Sequence, residues 1–132
     1  MKRVLLDTSA YSAFFRRHPQ AIDQVQLAAE IVLCPIVLGE LEAGFLKGSK
    51  TEDNRRLLRQ FLLSSRVRTV EIDDETATRF GLIVNSMRLA GTPIPTNDVW
   101  IAAVAMQHGL HVVTLDRHFS KVREVSAVVL TG

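Results

Sequence analysis

Along the chain, short and wholly apolar runs alternate with longer stretches of helical spacing. Val4-Leu5-Leu6 predicts a buried strand, because no polar residue interrupts it and Asp7-Thr8-Ser9 closes it. Ala10 to Phe15 continues as a short helix that stops near Arg16-Arg17-His18-Pro19, and Ala21 to Ala29 forms a second helical piece. Ile31 to Cys34 is a second strand. Pro35 then opens a helix at its tolerated first-turn position, and the mostly apolar Ile36 to Leu46 carries it to Lys47-Gly48. Glu52 to Leu63 is amphipathic, with Asn54, Arg55, Arg56, Arg59 and Gln60 outward and Leu57, Leu58, Phe61 and Leu62 inward.

Val67 to Val70 carries Arg68 within it and reads as an edge strand; Asp74 to Leu89 reads as a long helix capped by Asp73 or Asp74. The breaker run Gly91-Thr92-Pro93-Ile94-Pro95 leads into a helix over Thr96 to Met106. Thr96 or Asn97 is its expected cap, Val99, Ala102, Ala103 and Met106 its buried face, and Gly109 its stop. His111 to Leu115 predicts a strand ending at Asp116, and Ala127 to Leu130 a last one. This alternation predicts an α/β fold, a three-layer α/β/α sandwich around a mainly parallel sheet, as one domain over residues 1–132. Ligand sites in such sheets lie beyond the carboxyl ends of the strands, so Asp7 and Asp116 are expected at one edge.

Composition narrows the class. Hydrophobic residues make up 47%, which excludes disorder, and no apolar run approaches the length of a membrane span. The start carries no secretory pattern, since Asp7 interrupts the run after Lys2-Arg3. The single cysteine, Cys34, reads as a core thiol in a cytoplasmic protein. A net charge of +2 permits contact with an anionic polymer without requiring it.

Four acids carry the candidate chemistry: Asp7 and Asp116 after strands, Glu40 inside an apolar helix, and Asp98 in a first helical turn. Each has an ordinary alternative. Asp7 could cap a helix, Asp98 could serve the helix dipole, and Asp116 could be a turn residue. Glu42 has neighbours as apolar as those of Glu40, and periodicity leaves that choice open. Together, however, clustered carboxylates in apolar surroundings need compensating cations. No basic residue lies close to Glu40 or Asp98 in sequence, while Arg117 adjoins Asp116 and could pair with it. An oxygen-only donor set favours Mg²⁺ or Mn²⁺ over zinc, and such ions serve phosphodiester hydrolysis.

Leu6-Asp7-Thr8-Ser9-Ala10, Val37-Leu38-Gly39-Glu40-Leu41, Asn97-Asp98-Val99-Trp100-Ile101-Ala102-Ala103 and Val113-Thr114-Leu115-Asp116-Arg117-His118-Phe119 resemble the PIN domain. More narrowly they resemble VapC-type toxins of bacterial and archaeal toxin–antitoxin pairs, over essentially the whole chain. The acids lie 33, 58 and 18 residues apart in order, as in that pattern. The resemblance implies that Asp7, Glu40, Asp98 and Asp116 bind Mg²⁺ or Mn²⁺ for RNA cleavage, and it selects Glu40 over Glu42. It also implies supporting roles for Ser9, Thr8, Asn97 and Thr114. Its further implications are a homodimer, or a larger toxin–antitoxin assembly, and a small VapB-like antitoxin whose tail occupies the site.

Arg16, Arg17, Arg117 and His118 flank the expected edge and are candidate RNA contacts. Trp100 reads as packing rather than base stacking, and Phe14, Phe15, Phe45 and Leu46 as either core or a partner-covered patch. The function so read is a metal-dependent endoribonuclease acting through activated water. A silent PIN-fold binding module and a metal-dependent DNA nuclease are the alternatives. A receiver-type phosphoacceptor is disfavoured, since Asp7 stands alone after the first strand and no lysine follows the last.

Overall fold

A computed structural model describes residues 2–131. Its elements are β1 (Arg3–Leu6), α1 (Thr8–Phe15), α2 (Pro19–Leu27), β2 (Glu30–Leu33), α3 (Pro35–Lys47) and α4 (Thr51–Leu62). Then follow β3 (Val67–Thr69), α5 (Asp74–Ala90), α6 (Thr96–His108), β4 (His111–Thr114), a 3₁₀ helix (Arg117–Lys121) and β5 (Ser126–Val129). The five strands form one sheet in the order β3-β2-β1-β4-β5, and every neighbouring pair is parallel. In the centre Leu5 pairs with Val32 on one side and Val112 on the other.

Central strands covered on both faces need apolar residues at every position, not at alternate ones. Val4, Leu5, Leu6, Ile31, Val32, Leu33, Val112 and Val113 are accordingly all buried. The chain moves outward from β1 through β2 to β3, then crosses back to β4 and β5. With right-handed crossovers, α1–α4 cover one face and α5 and α6 the other. The reversal lies between β1 and β4, which makes the carboxyl ends of these two strands the switch point of the sheet.

Local chemistry explains where elements depart from the pattern-based limits. Asp7 caps α1, so that helix starts at Thr8 rather than Ala10. His18 accepts from the Ala21 N–H and Pro19 takes the first helical position, which moves α2 two residues toward the N-terminus. At α6 the expected cap is not used: Pro95 holds that position without a side-chain cap, and Thr96 and Asn97 already lie within the first turn. The buried face of α6 is also wider than one stripe. Ile101, Val104 and Ala105 are buried together with Val99, Ala102 and Ala103, because α5, α3 and β4 all pack against this helix. Trp100 stacks on Phe80 of α5 with ring centroids 4.0 Å apart, the packing role expected of it.

The start of α5 is tied to the end of α6 by a closed polar network. Asp73 accepts from the Thr76 N–H (3.1 Å) and from Gln107 Nε2 (3.1 Å). The buried Thr76 hydroxyl accepts from the Asp73 N–H (3.0 Å) and donates to Gln107 Oε1 (2.5 Å). Thr76→Val keeps the shape and removes both bonds, leaving a donor and an acceptor unmet. Urea unfolding is expected to show a loss of about 1–3 kcal/mol at unchanged m-value. A loss well below this range would show that water replaces the hydroxyl.

Candidate functional site

Asp7 ends β1 and stands at the N-cap of α1, with only 3% of its surface exposed. Oδ1 accepts from the Ala10 N–H (2.8 Å) and from the Ser9 hydroxyl (2.7 Å), and Oδ2 accepts from the Thr114 hydroxyl (2.5 Å). Capping and site placement therefore coincide in one carboxylate. The two hydroxyls are themselves oriented by the segment just beyond β4, since Ser9 Oγ accepts from the Leu115 N–H (2.9 Å) and Thr114 Oγ1 from the Asp116 N–H (2.9 Å). Backbone N–H groups can only donate, so each hydroxyl oxygen accepts there and turns its hydrogen toward Asp7.

Glu40 reaches the same place from α3. Its Oε1 accepts from the Thr8 hydroxyl (2.5 Å) and its Oε2 from Asn97 Nδ2 (3.2 Å), which joins α1, α3 and α6 at one point. Glu42 instead pairs with Arg55 of α4 at 2.8 Å, so geometry separates the two glutamates that periodicity could not. Asp98, in the first turn of α6, accepts at Oδ2 from His118 Nε2 at 2.7 Å. Asp116 follows β4 and is the exposed member of the set; its Oδ2 lies 3.8 Å from the same His118 nitrogen. Among the described residues no ion pair joins Arg117 to Asp116, contrary to the pairing that adjacency suggested.

These side chains line one cleft of about 460 Å³ formed by Asp7, Thr8, Ser9, Ser12, Glu40, Pro95, Asp98, Asp116 and His118. Its electrostatics are unfavourable to anions. Burial pushes the Asp7 carboxyl above its usual range, against the hydrogen bonds from Thr114, Ser9 and the Ala10 N–H, and the Asp116 charge adds to the upward push. Asp98 is also raised, chiefly by burial; His118 opposes this, while Asp116 and Glu40 reinforce it. Among the described residues no lysine or arginine is ion-paired with Asp7, Glu40, Asp98 or Asp116, so the arginines do not neutralise the cleft. A concave set of carboxylate and hydroxyl oxygens, with His118 among them and no lysine or arginine, fits a divalent ion such as Mg²⁺ or Mn²⁺.

His118, a candidate RNA contact from the sequence, lines the cleft beside Asp98 and Asp116. The 3₁₀ helix that turns it inward has no hydrophobic period; its one sequence signal is the apolar Phe119 among charged residues, which is fully buried. Ser12 and Pro95 also line the cleft and were not singled out from the sequence. Arg16, Arg17 and Arg117 are exposed, and Arg17 adopts a left-handed backbone (φ 64°) between α1 and α2.

Ser12 faces a second hollow as well, of about 210 Å³, lined by Tyr11, Phe15, Arg16, Phe45, Asn54 and Leu57 from α1, α3 and α4. Phe14 and Phe45 pack on the core, while Phe15 and Leu46 are exposed, so the four-residue apolar group divides between core and surface.

Residues 4–125 match the family model of the PIN domain. The chain is 30% identical over 132 residues to Ribonuclease VapC4 of Mycobacterium tuberculosis, covering 98% of each protein. It is similar in structure to a chain of VapBC2 from Rickettsia felis bound to a DNA fragment from their promoter, with TM-score 0.84, 25% identity and coverage of 96% and 97%. It is likewise similar to a chain of DNA-bound VapBC from Salmonella typhimurium, with TM-score 0.83, 26% identity and 98% coverage of both. The matched region runs from β1 to the approach to β5 and includes every residue lining the acidic cleft; the chain belongs to the PIN-domain family.

Proposed function

We propose that this chain is a cytoplasmic, divalent-metal-dependent endoribonuclease, the toxin of a VapBC-like toxin–antitoxin pair, hydrolysing RNA phosphodiesters with water. One observation carries the reading: Asp7, Glu40, Asp98 and Asp116, distant in sequence, share one cleft at the sheet's switch point without lysine or arginine neutralisation. RNA as substrate is supported by the relative named Ribonuclease VapC4. An antitoxin partner is supported by the VapBC complexes that the fold matches. The hollow between α1, α3 and α4 and the exposed Phe15 and Leu46 are the surface we assign to that partner. The toxin is expected to form a homodimer within the larger assembly.

The four acids would hold Mg²⁺ or Mn²⁺, and the bound ion would supply Lewis-acid activation of water and charge neutralisation at the phosphate. The chain's own residues supply position. Ser9 and Thr114 fix the Asp7 carboxylate through oriented hydroxyls, and Thr8 and Asn97 hold one oxygen each of Glu40. Arg16, Arg17 and Arg117 would attract the phosphate backbone toward an edge that otherwise repels it. Serine or cysteine nucleophiles are poorly placed. Ser9 Oγ is engaged as both donor and acceptor, and Cys34 is fully buried.

The direct test is cleavage of total RNA with Mg²⁺, Mn²⁺ or chelator. Asp98→Asn, verified as folded, is expected to lower cleavage by at least about 100-fold, in the range set by loss of a major electrostatic contribution. Undiminished cleavage by the folded variant would overturn the reading. Cutting of DNA but not RNA would move it to the DNA-nuclease alternative.

Stability should carry a second signature. A carboxyl raised on folding binds more protons folded than unfolded, so metal-free stability falls as pH rises from the ordinary carboxylate value through the raised one. Above that window, metal-free Asp98→Asn is expected to melt higher than the parent chain. Adding Mn²⁺ at about 100 times its dissociation constant should stabilise the parent by about 2.7 kcal/mol and the variant much less. Thermal melts at several pH values, with and without the ion, check both signs.

A further inference from the structure

We propose that His118 is a nitrogen ligand of the ion held in the acidic cleft, and that it biases this chain toward first-row transition ions such as Mn²⁺ and Co²⁺ over Mg²⁺. The inference rests on the metal-site reading above. One ligand atom from each of His118, Asp98 and Asp116 lies within 4.8 Å of the other two. His118 Nε2 is 2.7 Å from Asp98 Oδ2 and 3.8 Å from Asp116 Oδ2. With metal–ligand bonds of about 2.1 Å, donors on one ion stand about 3 Å apart when adjacent and about 4.2 Å apart when opposite. These distances suit donors that share an ion, and the Nε2···Oδ2 contact is a hydrogen bond whose place such an ion would take.

The imidazole is also held in place. Phe119, next in the chain, is fully buried, and its ring centroid lies 5.3 Å from that of His118. Ser120 closes the 3₁₀ helix by donating to the Arg117 carbonyl at 2.6 Å. The His118 side chain nevertheless keeps 25% of its surface exposed, so ions reach it from solvent. No other histidine lines the cleft; His18 Nδ1 caps α2 and His111 Nδ1 is bonded to Ser126. Carboxylates alone suit Mg²⁺ and Mn²⁺ alike, whereas an imidazole adds affinity for transition ions and little for Mg²⁺.

The test is calorimetric titration of Mg²⁺, Mn²⁺ and Co²⁺ into the full chain and into folded His118→Ala, His118→Asn and Asp98→Asn. Spin-echo spectroscopy of the Mn²⁺ protein reads nitrogen-14 coupling directly. Removing the imidazole should weaken Mn²⁺ and Co²⁺ by at least the roughly 10–100-fold that loss of an outer-shell partner costs, and abolish the nitrogen coupling. Mg²⁺ affinity should change by less than about threefold. Equal weakening for all three ions, or no nitrogen coupling in the parent protein, overturns the proposal. So does full recovery of ion preference in His118→Asn, which would make the histidine a positioning residue for Asp98. If Asp98→Asn abolishes binding while both His118 variants match the parent, only this inference falls. If Asp98→Asn binds every ion as tightly as the parent, the metal-site reading falls with it.

Discussion

The Asp7 carboxylate is the point at which the first strand, the first helix and the fourth strand are fastened together. It caps α1 through the Ala10 N–H, and it receives hydroxyls from Ser9 and Thr114 whose oxygens are held by N–H groups beyond β4. This chain of donors has only one consistent direction, and it ends on a group that must accept from three sides. Such a group is best served as an ionised carboxylate. Burial works against the same charge. The inner wall of the cleft is thus arranged for a negative charge that its surroundings disfavour.

Magnitudes indicate what resolves that tension. Asp7 and Asp98 sit at the starts of α1 and α6, where a helix dipole favours an anion by about 0.3–1 kcal/mol. Desolvation of a buried ion costs several kcal/mol, more than two dipoles supply. Arginine could offset the difference, yet the arginines that form ion pairs are engaged elsewhere. Arg55 serves Glu42, and Arg3 and Arg68 share Glu30 at the opposite end of the sheet. Among the described residues no lysine or arginine pairs with the four acids, and only His118 stands beside Asp98, which is the imbalance that supports the proposed divalent ion.

Much of this could be read from the sequence, for a physical reason. A buried parallel strand is a continuous apolar run, so Asp7 and Asp116, which end two such runs, declared their own edge of the sheet. The resemblance of the four segments to the PIN domain supplied what spacing could not, the choice of Glu40. In three dimensions that choice follows from Arg55, which lies 13 residues past Glu42 and takes that side chain to α4. Tertiary partners were the missing information elsewhere too. The cap of α6 was misread because polar residues after Pro95 look like caps, while the turn begins at the proline itself. The contact of His118 with Asp98 was illegible in the sequence because a 3₁₀ helix leaves no periodic trace, and the direction of that side chain depends on where Phe119 is buried.

The cleft is graded from inside to outside, and the gradient bears on how its residues are to be interpreted. Asp7 is enclosed, Asp98 and His118 keep 15% and 25% of their side chains exposed, and Asp116 keeps 54%. At the inner end, charge and fold cannot be separated, since the carboxylate that faces the cleft also starts a helix and joins two strands. At the outer end they can, because Asp116 makes no side-chain bond on which an element depends among the described residues. Loss of function at Asp7 therefore mixes structural with chemical causes, whereas loss at Asp116 reports the charge of the cleft itself. The same exposure leaves the outer rim, Asp116 and His118, as the part of the site whose chemistry can vary while the scaffold stays intact.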